Sequence, residues 1–129
     1  MSVLAIEVIS TGRILTLLAD RSLGLASLQE NLRRTGASKL YYGLFHLALE
    51  LAIENGRPAN GSKSRHTQLW NWYKSRTDTK DLATIGFELK QIREHADYDL
   101  EESFFYTGDE LFILVHDAFK LLEKERQRT

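Results

Sequence analysis

The chain has no cysteine, one proline and one methionine among its 129 residues. Without cysteine there is no disulfide framework and no thiolate metal site, which fits a reducing cytoplasm. One proline and eight glycines leave few residues that interrupt a helix, so long helices are expected. No run approaches the ~20 apolar residues that a bilayer-spanning helix needs, so no membrane is expected as a partner. The opening MSVLAIEVISTGR has no basic residue ahead of its apolar part, which argues against a secretory signal. A phosphate-cradling glycine loop, a Gly-x-Ser-x-Gly elbow and a His-Glu-x-x-His zinc helix are all missing. No two of the four histidines lie three or four apart, the spacing that puts two ligands on one helix face, so neither metal nor cofactor is expected.

What is present is ordinary globular composition, 43% hydrophobic and 27% charged. The length suits a single domain over residues 1–129 that buries roughly two-thirds of its unfolded surface. The net charge of −1 hides an uneven distribution. From Asn55 to Thr77 there are five basic residues (Arg57, Lys63, Arg65, Lys74, Arg76) and no acidic ones, whereas Asp78 to Glu110 holds ten acidic against three basic. Two solvated faces of opposite charge would account for this; so would a phosphate-binding segment beside one that docks a basic partner.

Apolar residues recur at helical spacing almost throughout, and strict alternation is rare. The pattern predicts a helix from about Val3 to Ala19, then one from about Arg21 to Arg34 carrying Leu25, Leu28 and Leu32 and stopped by Gly36. A third follows over SKLYYGLFHLALELA, with Leu40, Leu44, Leu47 and Leu51 as its buried stripe, ending near Asn55-Gly56. NGRPANGSKS reads as a long loop within one bundle. A short helix over about Thr67 to Ser75 is followed by one carrying Leu82, Ile85, Leu89, Ile92 and Ala96. DYDLEESFFYTG is a second connector. Thr107 and Glu110 have capping-box spacing ahead of a last helix, to about Arg126, with Leu111, Val115, Ala118 and Leu122. The fold class is all-α, an antiparallel up-and-down bundle of four to five helices.

Three stretches carry residues that a core does not require. In the third helix Lys39 and His46 are seven positions apart, nearly eclipsed, with Tyr42 between them. A cation, a phenol and an imidazole thus share one side beside the leucine stripe; simple pairing with neighbouring helices is the alternative. In QIREHADYDL, Arg93 and Asp97 stand at i, i+4 and can meet as an ion pair, either lining a site or clasping the next connector. In KSRHTQLWNWYKSR, Arg65, His66 and two tryptophans mix cations with rings, as single-stranded nucleic acid requires. Leu69, Trp72 and Tyr73 have core spacing there, which leaves Trp70 as the ring for the exposed side.

Together these stretches resemble prokaryotic HEPN-domain proteins. SKLYYGLFHLALELA resembles their Ser-Arg-x-Tyr-Tyr-x-x-Phe-His-x-Ala helix, SKSRHTQLWNWY their Lys-Thr/Ser-His-x-x-Leu stretch, and REHADYDL their Arg-x-x-Ala-Asp-Tyr-Asp signature. The resemblance covers roughly residues 37 to 100. It implies an antiparallel helical bundle, paired as a homodimer; the lack of cysteine and of a secretory signal points to the cytoplasm. Many members are metal-independent endoribonuclease toxins accompanied by a nucleotidyltransferase; others are inactive and bind RNA, nucleotides or protein. An arginine and a histidine four to six residues apart serve the active members. Here the nearest equivalent is Lys39 with His46, six residues between them, and lysine lacks the arginine fork. The resemblance therefore implies His46, Lys39 and Arg93 as catalytic candidates. Tyr42, Arg65, His66, Trp70, Asp97 and Tyr98 become candidates for contacting RNA or nucleotide. In some family pairs the nucleotidyltransferase modifies a tyrosine beside the histidine, and Tyr98 lies near His95. The competing expectations are a non-catalytic dimerisation or adaptor module, and a nucleotide sensor built on the segment from Arg57 to Arg76.

Overall fold

The computed structural model describes residues 3–21, 26–57 and 65–128. Five α-helices, with no strand among the described residues, form an antiparallel up-and-down bundle. They are α1 (Val3–Arg21), α2 (Ala26–Glu54), α3 (Arg65–Ser75), α4 (Lys80–Tyr98) and α5 (Gly108–Arg128), with one short 3-10 turn at Thr77–Thr79. No described helix is long and apolar enough to cross a membrane. Lys63 and most of the NGRPANGSKS loop, like Leu25, lie outside the described residues.

The largest departure from expectation concerns Gly36, which does not end a helix. The two expected helices are one continuous α2 of 29 residues, about 43 Å long at 1.5 Å per residue. Gly36 serves close approach instead of termination. A Cβ on it would lie 2.5 Å from Thr16 Cγ2, and one on Gly12 would lie 2.9 Å from the Gly36 carbonyl. Further along, a Cβ on Gly43 would meet Ile9 at 2.4 Å and the Ala5 carbonyl at 2.9 Å. Ala5, Gly12 and Ala19, seven apart and all buried, thus let α1 lie close against α2. The helical hydrogen bonds and this packing outweigh the ~1 kcal/mol that a helix-interior glycine costs.

The true stop of α2 comes at Asn55-Gly56, as expected. Gly56 adopts φ 97, its amide donates to the Ile53 carbonyl, and the Arg57 amide donates to that of Ala52. This is the Schellman arrangement that needs glycine in the left-handed region. At the other end of the chain the capping box forms. The Thr107 amide donates to Glu110 Oε2 at 3.3 Å and the Glu110 amide to Thr107 Oγ1 at 3.2 Å.

The leucine stripes of α2, α4 and α5 converge on one core. Leu40, Leu44, Leu47, Leu51, Leu82, Leu89, Leu111 and Leu122 are all buried, each contributing roughly 1.5–3 kcal/mol of burial. Leu28, by contrast, is exposed. Trp70 corrects the expectation for α3. It is fully buried, flat against Gly86, where a Cβ would sit 2.3 Å from the indole. Trp72 is the half-buried ring, with Arg76 over it at 4.7 Å.

Candidate functional site

The antiparallel pairing of α2 with α4 brings residues 34–42 opposite residues 93–97, and α3 lies across both. Tyr41 is the centre of this junction. Its hydroxyl accepts the Trp70 Nε1 proton at 3.1 Å and lies 2.8 Å from His66 Nδ1. An indole nitrogen can only donate, which leaves the phenol proton available to Nδ1. With that donation His66 is the neutral tautomer with its proton on Nε2. Burial also raises the Tyr41 pKa and keeps the phenol protonated.

The His66 ring stacks on Phe45 with centroids 4.0 Å apart and meets the edge of Tyr42 at 5.9 Å. Its pKa is pushed down to about 4, first by burial and then by the charges of Arg93, Arg65, Lys90 and His46. His66 is thus an uncharged imidazole held among cations. His46, one turn along from Tyr42 on α2, remains exposed, with its ring T-shaped to Phe45 at 5.5 Å. Its pKa is lowered as well, by partial burial and then by Arg65. Arg65 itself is exposed and lies over the Phe45 ring at 5.3 Å. Two imidazoles from different helices therefore share one phenylalanine, with a guanidinium beside them.

Arg93 forms the expected pair with Asp97, from a buried position. It is 6% exposed, with its guanidinium 5.5, 5.2 and 5.6 Å from the rings of Tyr41, Tyr42 and Tyr98. Nη1 donates to the Tyr98 hydroxyl at 3.2 Å and pairs with Asp97 at 3.8 Å, while Nε has no partner. Arg93 therefore reaches the cleft by its field, from beneath the tyrosines, and not by touching an open phosphate site. Asp97 also accepts from Ser38 Oγ at 3.2 Å, so the Arg93–Asp97 pair clasps α4 to α2.

Lys39 and His46 do not form one constellation. Seven residues of helix separate them by about 10.5 Å along the axis. His46 belongs to the Phe45–His66 end, whereas Lys39 overhangs a cavity of about 300 Å³ shared with Ser38, Asp97 and Leu100. Within the basic segment, Arg57 is buried and Arg76 pairs with Glu125 at 3.0 Å.

Two residues with large roles carried no local signal, Lys90 and Arg34. Lys90 enters the His66 environment only because helices cross there. Arg34, 5% exposed, donates to the carbonyls of His95, Ala96 and Asp99 at 3.1, 3.1 and 3.3 Å and also to that of Glu102. It caps the C-terminal end of α4, where carbonyls lack helical partners. Beside it, donor atoms of His95, Asp99 and Glu102 lie within 4.8 Å of one another, as metal ligands would. The same atoms already form ion pairs of 3.2 and 3.4 Å whenever the imidazole is protonated. No family model, no curated protein and no solved structure matches this chain.

Proposed function

We propose that this protein is a HEPN-like RNA-associated protein, a metal-independent endoribonuclease or its inactive relative, whose working surface is the His46–Arg65–His66 cleft. One observation carries the reading: a neutral His66 hydrogen-bonded to Tyr41 and an exposed His46 share Phe45, with Arg65 over the same ring and the charges of Arg93 and Lys90 acting on His66. Arg65 beside the exposed His46 ring and the half-buried Tyr42 suits a phosphate backbone with an unstacked base. In a cleaving protein, neutral His46 takes the ribose 2′-hydroxyl proton as the oxygen attacks phosphorus. The His66 Nε2 proton and Arg65 stabilise the charge that develops on the phosphate. The 5′-oxygen leaves and takes a proton from water, giving a 2′,3′-cyclic phosphate. Lys39 and Asp97 flank the path of the strand, with Tyr42 orienting it. A nucleotidyltransferase partner and a toxin–antitoxin setting belong to the same reading through the family resemblance.

The test is cleavage of labelled single-stranded RNA in the presence of a chelator. Cyclic-phosphate products that vanish in His46→Ala and drop in His66→Ala support the enzyme. Salt-sensitive binding without cleavage, weakened by Arg65→Ala, supports the inactive relative. Absence of both removes the reading. The dimerisation-module alternative draws on a separate observation: Leu4, Ile14 and Leu18 on the outer side of α1 are 70%, 57% and 52% exposed. A monomer at all concentrations in sedimentation would exclude that alternative.

A further inference from the structure

The connector between α4 and α5 combines three properties that seldom occur together. It is acidic: no lysine or arginine occurs between Arg93 and Lys120, while Asp99, Glu101, Glu102, Asp109 and Glu110 do. It is apolar at its surface: Tyr98, Leu100 and Phe105 are 70%, 69% and 84% exposed. Lone exposed apolar residues are commonplace, whereas three large ones fall here within eight positions.

It is also held firmly from below. Arg34 donates to four of its carbonyls or those just before it. Glu30 accepts the Phe104 amide at 2.7 Å and pairs with Arg34 at 3.3 Å. The Phe104 amide, followed by Arg34, keeps the Glu30 carboxyl below the usual carboxylate range. Phe104 is buried beneath the His95 ring, 5.7 Å away, so its neighbour Phe105 is driven outward. Tyr98 is fixed by Arg93. A surface already ordered loses little entropy when it is covered, which is the condition for an apolar anchor to contribute strongly to binding.

The geometry points to a docking surface at residues 98–105 for a basic segment of a partner protein that carries an apolar side chain. Tyr98, Asp99, Leu100, Glu101 and Glu102 enclose a shallow hollow of about 360 Å³. Carboxylates around it can accept an arginine fork, while Phe105 and Leu100 cover the neighbouring aliphatic or aromatic side chain. The carboxylates repel a phosphate backbone, so the inference stands whether or not the His46–Arg65–His66 cleft binds RNA. Steering by the acidic rim makes association fast and salt-dependent, and the apolar centre sets the dissociation rate.

The probe is a fluorescein-labelled synthetic peptide of alternating arginine and leucine, with its glutamate–leucine counterpart as control, titrated with the full chain. Expected are anisotropy binding of the basic peptide alone, amide shifts centred on residues 98–105, and about tenfold weaker binding in Phe105→Ser. Glu101→Lys weakens binding and flattens its salt dependence. Both side chains point to solvent, so unchanged melting temperatures confirm that the variants are folded. The inference is overturned by no binding, by equal binding of both variants, or by shifts centred elsewhere. A Phe105-dependent dimer in sedimentation would also overturn it, by making a second copy the occupant.

Discussion

The two surfaces served by α4 are built in opposite ways. On the α3 side, the His46–Arg65–His66 cleft is assembled from three helices, and its charges are cations gathered around a neutral imidazole. At its C-terminal end the 98–105 connector is local in sequence, acidic, and is held by two distant residues, Arg34 and Glu30. The cleft gets its order from aromatic packing, which tolerates no added volume. The connector gets its order from hydrogen bonds to backbone carbonyls, which tolerate no loss of the donor. A single substitution should therefore disable one surface and spare the other.

The largest effect is expected from Arg34→Ala. It leaves several carbonyls at the end of α4 without their donor, at a cost of about 3 kcal/mol. Urea denaturation measures the loss, and hydrogen exchange should speed up in residues 98–105 more than in α2. Arg34→Lys should recover little of it, since an ammonium lacks the planar fork. On the other surface Gly86→Ala is the matching break. Its Cβ would overlap the Trp70 ring, and overpacking of this kind costs about 1–3 kcal/mol. Displaced Trp70 no longer holds Tyr41, so RNA affinity should fall while binding of the arginine–leucine peptide stays the same.

The next effect is one of pH. The folded-state pKa of His66, about 4, lies below its ordinary value, so the unfolded chain binds the extra proton first. Its contribution to stability is complete above pH ~6.5 and is lost as pH falls towards 4. An NMR titration should show His66 neutral, with the proton on Nε2, until about that pH. Bound RNA should raise the midpoint, because phosphates offset the fields of Arg65, Arg93 and Lys90. The smallest effect is Arg65→Ala, which should lower the salt slope of RNA binding by about 0.7, the value for one single-strand phosphate contact. Lys39→Ala, two turns from His46 on α2, is the comparison, and an equal change there would show that the strand reaches both positions.

Much of the bundle was legible in advance. The stripes Leu40–Leu51, Leu82–Ala96 and Leu111–Leu122 repeat with helical period, and the Thr107–Glu110 box and the Gly56 stop rest on contacts within a few residues. Gly36 misled because a glycine that ends a helix and one that lets another helix approach look alike until the partner, Gly12 of α1, is in place. Trp70 misled for the same reason: the glycine that receives its indole is sixteen positions away. His66 was among the named residues, but its link to Tyr41 and Phe45 was not.

The sequence by itself determined that this chain forms amphipathic helices, where most of them start and stop, and which faces they bury, because those follow from periodicity and neighbouring hydrogen bonds. Only the tertiary structure decided that Arg93 lies beneath three tyrosines, that Arg34 holds the end of α4, and that His46 and His66 share one ring. Burial, charge proximity and proton placement depend on distances between helices, and those distances are set when the helices pack.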